Sequence, residues 1–572
     1  PQGGQRRESM TGTFDSLNPY ALRGKTHPYL FALSHISLLA RNWDEPFSLY
    51  PGLASGIRMA ADRSTIEFTL DPDAIWSDGM PVTAADVLFS HRILRDQGRP
   101  GHRSYYSRVA AVTRTGQRSV RFDLAPNADG SIDRELPLII GLMPILPEHW
   151  WSGRDITRTT LEVPPVAGPY QVAVAEPGRR LVFERRRPWW GDDVPAFRGL
   201  FNVDRVVIDY YRDETVALQA FKAGQTDVRV ETDPALWTRG YGDGDGAPSN
   251  QPRIVREEIA HGRTEWTRAI FLNARRPPLD DARVREALGL ALDYDWMNKA
   301  LFHGALRPVE SLYPNSDLGA SAGPPGPAEL ALLAPFRTLV DPRTFGPAWR
   351  APRTDASGPA GQRPHLRRAM ALLAAAGFRV VDGRQVGPDG RPLSLELLIQ
   401  NAGEEKLALT WARSLDRIGV TVRTRLVDSA QFRARIDRFE ADAVIHRWVS
   451  TLSPGNEQSL YYGSAAADQP GSRNWPGIRS PAIDAVIAAM GQARTRDELR
   501  AATAALDRLV LWGHWIVPLF HSPVDRVARW SHLKRPDHTP LYGIWIDAWW
   551  VDGGDRDAGV SGGGGSGGVN AR

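Results

Sequence analysis

One stretch constrains the fold more than any other: residues Thr65 to Ser90, TIEFTLDPDAIWSDGMPVTAADVLFS. Ile66, Phe68 and Leu70 alternate and predict a strand with one apolar face. Asp78-Gly79 supplies a turn, and Thr83 followed three residues later by Asp86 predicts a capping box that opens a helix. A strand, a turn and a capped helix in such close succession require a compact unit of sheet and helix.

The rest of the chain extends this mixed character. Val120, Phe122 and Leu124 alternate in Ser119 to Leu124, and further strands are predicted at Tyr170 to Ala175, Leu181 to Arg185 and Arg205 to Tyr210. From about Ala269 helices and strands take turns. Leu366, Ala369, Met370 and Leu373 make a helical stripe stopped by Gly377. Leu393, Leu395 and Leu397 then read as a strand. The helix Glu404 to Ile418 presents Leu407, Trp411, Leu415 and Ile418 on one side, and Val420, Val422, Thr424 and Leu426 alternate after Gly419. This βαβ-like run implies a mixed α/β lobe. Two late helices have clear starts, one capped by Ser480 with Pro481 in its first turn, the other opened by Thr495 and Glu498. Gly240 to Pro252, Gly319 to Pro327 and Thr354 to Pro364 read as loops or surface insertions. The last residues are too glycine-rich to order.

With 572 residues, 42% of them hydrophobic, the chain can bury several cores, and length alone suggests about three or four domain-sized units. Seventy basic against 66 acidic residues leave a net charge of +4 with the arginines spread along the chain, which gives no support to a nucleic-acid partner. There is no cysteine, so disulfides and thiolate metal sites are excluded. No apolar run reaches the ~18 residues of a membrane-spanning helix, and Leu136 to Leu146 is cut by Pro137 and Pro144. The sequence has no HExxH and no phosphate-binding P-loop, and GxSxG occurs in the glycine-rich tail, at Gly559 to Gly563 and Gly564 to Gly568, away from any predicted strand and helix, so a peptidase is the weaker alternative. His521, His532 and His538 have spacings that fit no common zinc pattern, so no metal and no cofactor is expected.

The Thr65 to Ser90 string resembles the "F.L...V.W.DG.P.TA.DV.FS" signature of the family 5 extracellular solute-binding proteins, the receptors of peptide and nickel ABC importers. Further blocks follow in the family's order. Pro164 to Tyr170 resembles its "GTGPY" strand start, Arg185 to Pro195 its "N..YWG....P" loop, and Asp213 to Asp227 its "D.......AF.AGE.D" helix. Phe271 to Gly304 resembles its "N....PF.D.RVR.A...A.DR......F.G" segment. Val284, Leu288, Ala291 and Leu292 in that block are read as core. Gly12 to Pro19 and Ser453 to Asn474 are similar to the YejA-type branch, which takes longer peptides and peptide conjugates of the microcin C kind.

The resemblance implies a two-lobed periplasmic binding protein of type II, cluster C: an α/β fold with mixed sheets, an extra subdomain on lobe I and a hinge of two crossovers. Its boundaries would be lobe I at 1–55, 166–268 and 516–557, the inserted subdomain at 56–165, lobe II at 269–515 and a disordered tail at 558–572. The first residues are similar to an internal "PKGG" of YejA-type proteins, so a signal peptide and an initial segment are expected to have been removed and the protein to be periplasmic. The implied partners are a peptide or peptide-like ligand and inner-membrane permease subunits with a cytoplasmic ATPase, and the receptor would be a monomer. Muropeptide, oligosaccharide, nickel chelate or haem are alternative cargoes on the same fold, since fold does not fix ligand. A chaperone or sensor that binds peptides without transport is a further alternative.

A peptide receptor can satisfy its ligand's main chain by strand addition and needs opposite charges for the ligand's ends. In peptide-binding relatives an aspartate a few residues after a tryptophan takes the ligand's amine. Here Trp448 matches that tryptophan and is expected to line the cleft, but Thr451 occupies the aspartate's place. Ser450, Thr451, Ser453 and Asn456 lie in the same stretch, with Glu457 as the replacement anion. Arg473 and Asn474 come from another loop that reaches the ligand in family members. From lobe I, Asp15, Ser16, Asn18 and Tyr20 are the candidates, although Asn-Pro is equally a plain turn signal.

Overall fold

The computed structural model describes residues 1–45, 47–127, 130–241, 253–354, 361–455 and 457–552. The predicted loop at Gly240 to Pro252 and the glycine-rich tail fall almost wholly outside them.

The alternating segment of the opening motif forms the strand Thr65–Leu70, whose Ile66, Phe68 and Leu70 are buried. It stands inside a four-stranded antiparallel sheet, between Ala54–Met59 and Ser119–Leu124, with Val109–Arg114 on the far edge. Phe68 meets Phe122 edge to face, their ring centroids 5.9 Å apart. Gly79 turns the chain at φ +86, and Asp78 accepts a hydrogen bond from the Met80 amide. The Asp86 carboxylate accepts from both the amide and the hydroxyl of Thr83, which starts the helix Ala84–Gln97. It also accepts from the Glu148 amide, so one residue caps a helix and fixes a distant turn.

Two larger sheets carry the rest. The seven-stranded sheet runs, in order, Ile254–Ala260, Val524–Trp530, Val228–Val230, Gln5–Thr11, Arg205–Tyr211, Arg180–Arg185 and Tyr170–Glu176. The five-stranded sheet runs Thr421–Leu426, Ser394–Ile399, Ala443–Trp448, Thr267–Leu272 and Ile516–Pro518. The βαβ reading holds: Ser394–Ile399 and Thr421–Leu426 pair in parallel, and the helix Ala402–Asp416 crosses between them. Thr267–Leu272 has Ala269, Ile270, Phe271 and Leu272 all buried, the continuous apolar run expected of a strand covered on both faces. Of the stripe read in the helix Arg363–Ala375, Leu366, Ala369 and Leu373 are buried, whereas Met370 is exposed.

The apolar residues sort into two main cores. One gathers residues from Phe14 to Tyr210, so the four-stranded unit and the first half of the seven-stranded sheet share it. The other gathers residues from Ala269 to Phe520. These are the two lobes. The chain crosses between their sheets twice, after Ala260 and again between Pro518 and Val524. The strand Ile516–Pro518, expected to begin the return to lobe I, instead pairs with Thr267–Leu272, because Ile516 and Val517 are apolar enough to be covered on that sheet.

The two crossings are tied to each other. Arg263, on the first, donates to Asp525, in the strand that follows the second (2.8 Å from Nη1 to Oδ2), and to the carbonyl oxygen of Tyr542 (2.6 Å). Asp525 is buried, and Gly543, at φ +89, packs so closely that a methyl group there would strike Arg263 and Asp525.

Phe68→Ala should cost about 3–5 kcal/mol of stability, the usual loss for a fully buried aromatic ring. Urea denaturation of the two forms checks this; a loss below about 1 kcal/mol would show that the ring does not sit in the shared core.

Candidate ligand-binding site

The strand Ala443–Trp448 ends at Trp448, and the chain beyond it leaves the sheet. Trp448 does not line a cleft. Its side chain is wholly buried, with its ring 4.5 Å from Phe271 and 4.5 Å from Tyr462, both near edge to face, and parallel to Trp475 at 6.5 Å. Its Nε1 donates to the Arg473 carbonyl oxygen at 2.9 Å. The residue at this strand end must cap an aromatic cluster, which corrects the expectation from sequence.

The next residues do face open space. Val449, Ser450, Thr451, Leu452 and Ser453 form one wall of a cavity of about 840 Å³. This wall is held from behind: Ser450 Oγ donates to the Leu312 carbonyl oxygen (2.7 Å), and Arg496 donates to that of Leu452 (2.7 Å). The opposite wall comes from lobe I through Trp43, Phe47 and Leu49, and from its inserted subdomain through Tyr105, Glu135 and Leu138. Arg263 to Trp266 of the first crossing and Tyr542 also line the cavity. The space therefore lies between the two cores.

It continues on both sides. A cavity of about 540 Å³ shares Trp43, Arg263 and Tyr542 with it and reaches Glu8, Ser9 and Val228 to Val230 of the large sheet. Another of about 470 Å³ shares Phe47, Leu49, Glu135, Leu138 and Ser453 and lies between the four-stranded unit and the loop and helix at 493–499. Together they make an elongated cleft. The lobes touch across it. Arg134 donates to the Pro454 carbonyl oxygen (2.8 Å), and the Arg496 guanidinium lies 4.2 Å from the centre of the Phe47 ring.

The centre of the cleft is acidic. Glu457 opens the short helix Glu457–Tyr462 and accepts from the Gly455 amide (3.1 Å) and from Gln458 Nε2 (2.9 Å). Glu135 approaches from the other lobe so closely that a side chain at position 455 would collide with its carboxylate. Burial raises the Tyr105 hydroxyl above its usual range, and the charges of Glu457 and Glu135 raise it further. Glu265 is also held up by burial, against the opposing pull of Arg263. Flat aromatic surface borders these acids: Trp43 stacks on Trp545 at 5.1 Å, and Trp266, 44% exposed, carries the Arg447 guanidinium on its face.

Of the residues read from sequence, Ser450, Thr451, Ser453 and Glu457 line the cavity. Asn456 lies outside the described residues. Arg473 sits behind the wall, donating to the Tyr461 hydroxyl at 2.6 Å. Asn474 is buried, bonded to the carbonyl oxygens of Gly463 and Ile478 and to the Ile478 amide. The lobe I candidates serve the loop itself. Asn18 is buried and donates to the carbonyl oxygens of Ile156 and Arg158 while accepting from the Tyr20 amide. Ser16 bonds within that loop, Tyr20 is buried, and exposed Asp15 accepts from the Lys25 amide. None of Asp15, Ser16, Asn18, Tyr20, Arg473 and Asn474 lines the cavity, because the 12–20 segment packs beneath 156–160, where the Leu17 amide bonds the Thr160 carbonyl oxygen. The three histidines do not converge: His532 pairs with Asp227, His538 with Asp44, and His521 is mostly covered. Among the described residues no group of His, Asp or Glu could hold a metal ion, and no helix is long and apolar enough to cross a membrane.

Two cores, two crossings and a cleft between them define a two-lobed solute-binding protein. Residues 48–469 match the bacterial extracellular solute-binding proteins, family 5, and the chain belongs to that family, the receptors of ABC importers. Its relatives are similar over nearly their whole length. A Brucella melitensis protein is 40% identical, covering 96% of this chain and 90% of its own. Two Agrobacterium fabrum proteins, "Probable peptide-binding protein YejA" and "Peptidoglycan-binding protein YepA", are each 36% identical, covering 96% of this chain and 89% and 90% of theirs. The fold is similar to that of the oligopeptide-binding protein AppA from Bacillus subtilis, solved with a nonapeptide. The TM-score is 0.67 at 18% identity, covering 96% of this chain and 99% of that one. The proteins of this family bind and deliver rather than catalyse.

Trp448→Ala should lower the stability of the empty protein by about 3–5 kcal/mol, the cost of emptying a core aromatic site. Thermal melting without ligand reads this directly; an unchanged melting temperature would return Trp448 to the cleft.

Proposed function

We propose that this chain captures oligopeptides or peptide conjugates, including those of the microcin C kind, in the periplasm. It would close its lobes over them and present the closed form to an inner-membrane permease driven by a cytoplasmic ATPase. The receptor acts as a monomer. The observation that carries this reading is the cleft: it is elongated, bounded by both lobes, and walled by a main-chain segment, Val449 to Ser453, that continues past the last paired residue of its strand. An extended ligand can lie along such a wall using main-chain hydrogen bonds that do not depend on its side chains. Glu457 and Glu135, one from each lobe, then supply negative charge for the ligand's amine, a charge-assisted contact that forms fully only on closure. Thr451 and Ser453 supply polar contacts along the wall.

A second reading, peptides derived from peptidoglycan, is favoured by the faces of Trp43 and Trp266, which suit sugar rings, and by the name of the YepA relative. It changes the cargo and keeps the mechanism.

Calorimetry with pentapeptide mixtures tests the amine contact. Mixtures with free amines should bind at least about tenfold more tightly than the same mixtures acetylated, as one charge-assisted hydrogen bond requires. Glu457→Gln should remove most of that difference. Equal affinity for both mixtures would contradict this reading of the cleft.

A further inference from the structure

The cavity of about 470 Å³ beside the main one has a charge of opposite sign to the cleft centre. Its walls are apolar, built from Phe47, Ile57, Met59, Ile66, Leu138 and Leu499. Ile57 and Met59 are 45% and 49% exposed, on the outer strand of the four-stranded sheet, where nothing in the described chain covers them. Around these walls stand four arginines, Arg63, Arg134, Arg494 and Arg496, and a single carboxylate, Glu135, at the border shared with the main cavity.

The pairing of these arginines sets them apart. Arg496 is neutralised by Asp317. Among the described residues Arg63, Arg134 and Arg494 make no ion pair with any carboxylate. Arg134 spends one guanidinium nitrogen on the Pro454 carbonyl oxygen, and its Nε is buried without a hydrogen-bond partner. A buried donor left unsatisfied carries a cost that an arriving acceptor removes. Arg494 is exposed and could stay unpaired at little cost, whereas Arg63 and Arg134 are half-buried. Here they ring one concave apolar space, drawn from both lobes, and continuous with the cleft.

We infer that this chamber is an anion subsite that takes the far, negatively charged end of the cargo, a carboxylate or phosphate carried on an apolar arm. The inference rests on the peptide reading of the main cavity and adds a direction to it: amine at the acidic centre, anion in the arginine chamber. The occupant is one end of the same ligand, because the two cavities share five wall residues and no separate entrance is needed. Arg63 and Arg134 belong to lobe I and its subdomain, whereas Arg494 and Arg496 belong to lobe II. An anion held between them therefore favours the closed arrangement over the open one. Cargo ending in an acid is then selected over cargo ending in a neutral amide, by electrostatic complementarity and without a contact to any particular side chain.

The test uses pentapeptide mixtures with free amines and three different ends: free acid, amide, and phosphoserine amide. Calorimetry on the unaltered protein should show the free-acid mixture binding about tenfold more tightly than the amide. The phosphoserine arm shows whether phosphate serves in place of carboxylate. In the double variant Arg63→Glu, Arg494→Glu the ratio of acid to amide affinity should fall to about one or below. Arg494 is exposed and Arg63 half-buried, and circular dichroism melting of the empty variant checks that it folds. A single variant, Arg494→Gln, should give an intermediate ratio. Equal affinity of the unaltered protein for acid and amide overturns this inference alone. An acid preference that survives the double variant also overturns it. Failure of every mixture to bind the unaltered protein overturns the peptide reading and this inference with it.

Discussion

The ion pair of Arg263 with Asp525 holds together the part of the molecule on which the rest depends. Two cores that share little apolar surface would drift apart if joined by a single flexible segment. Here the chain crosses twice, and Arg263 binds one crossing to the other and to the Tyr542 carbonyl oxygen. Breaking a partly buried pair by removing one partner leaves a desolvated charge behind, which is costly. The back of the cleft is thus fixed, and Arg263, Glu265, Trp266 and Tyr542 become the floor of the cavity. The same residues that restrain the waist also line the cavity.

Front contacts are weaker by design of their chemistry. One charged hydrogen bond from Arg134 to the Pro454 carbonyl oxygen and one cation over the Phe47 ring together contribute about 2–4 kcal/mol. That is enough to define the closed geometry and too little to hold it permanently against the hydration of the cleft. A ligand that touches both walls supplies the difference, and only its differential affinity for the closed form counts. Under the proposed function, a fixed back and a weak front turn binding into closure. On that proposal, the permease has a shape to recognise that reports on occupancy.

Much of the architecture was legible because local signals agreed with global ones. Thr83 and Asp86 formed a cap, Ile66, Phe68 and Leu70 faced inward, and the run from Ser394 to Leu426 became a parallel βαβ unit. The site was less legible. Its place in a motif points Trp448 to the cleft, yet a tryptophan next to Phe271, Tyr462 and Trp475 buries more area by closing the core than by lining a wet cleft. Asn18, Ser16 and Asn474 satisfy main-chain groups of their own loops, a role that polar loop residues share with ligand contacts and that sequence does not separate. Glu135 and Tyr105 gave no signal at all, since they reach the cleft only when a separate subdomain meets the second lobe. Glu457, expected as the replacement for the missing aspartate, does line the cavity.

The central claim is that two preformed bodies trap a long guest by turning about a double waist. Small-angle X-ray scattering of the protein with and without a saturating free-acid pentapeptide mixture tests it most directly. The account predicts a smaller radius of gyration with the mixture, and a scattering curve that matches the structure described here once bound. Identical curves in the two samples, with binding confirmed by calorimetry, would contradict it.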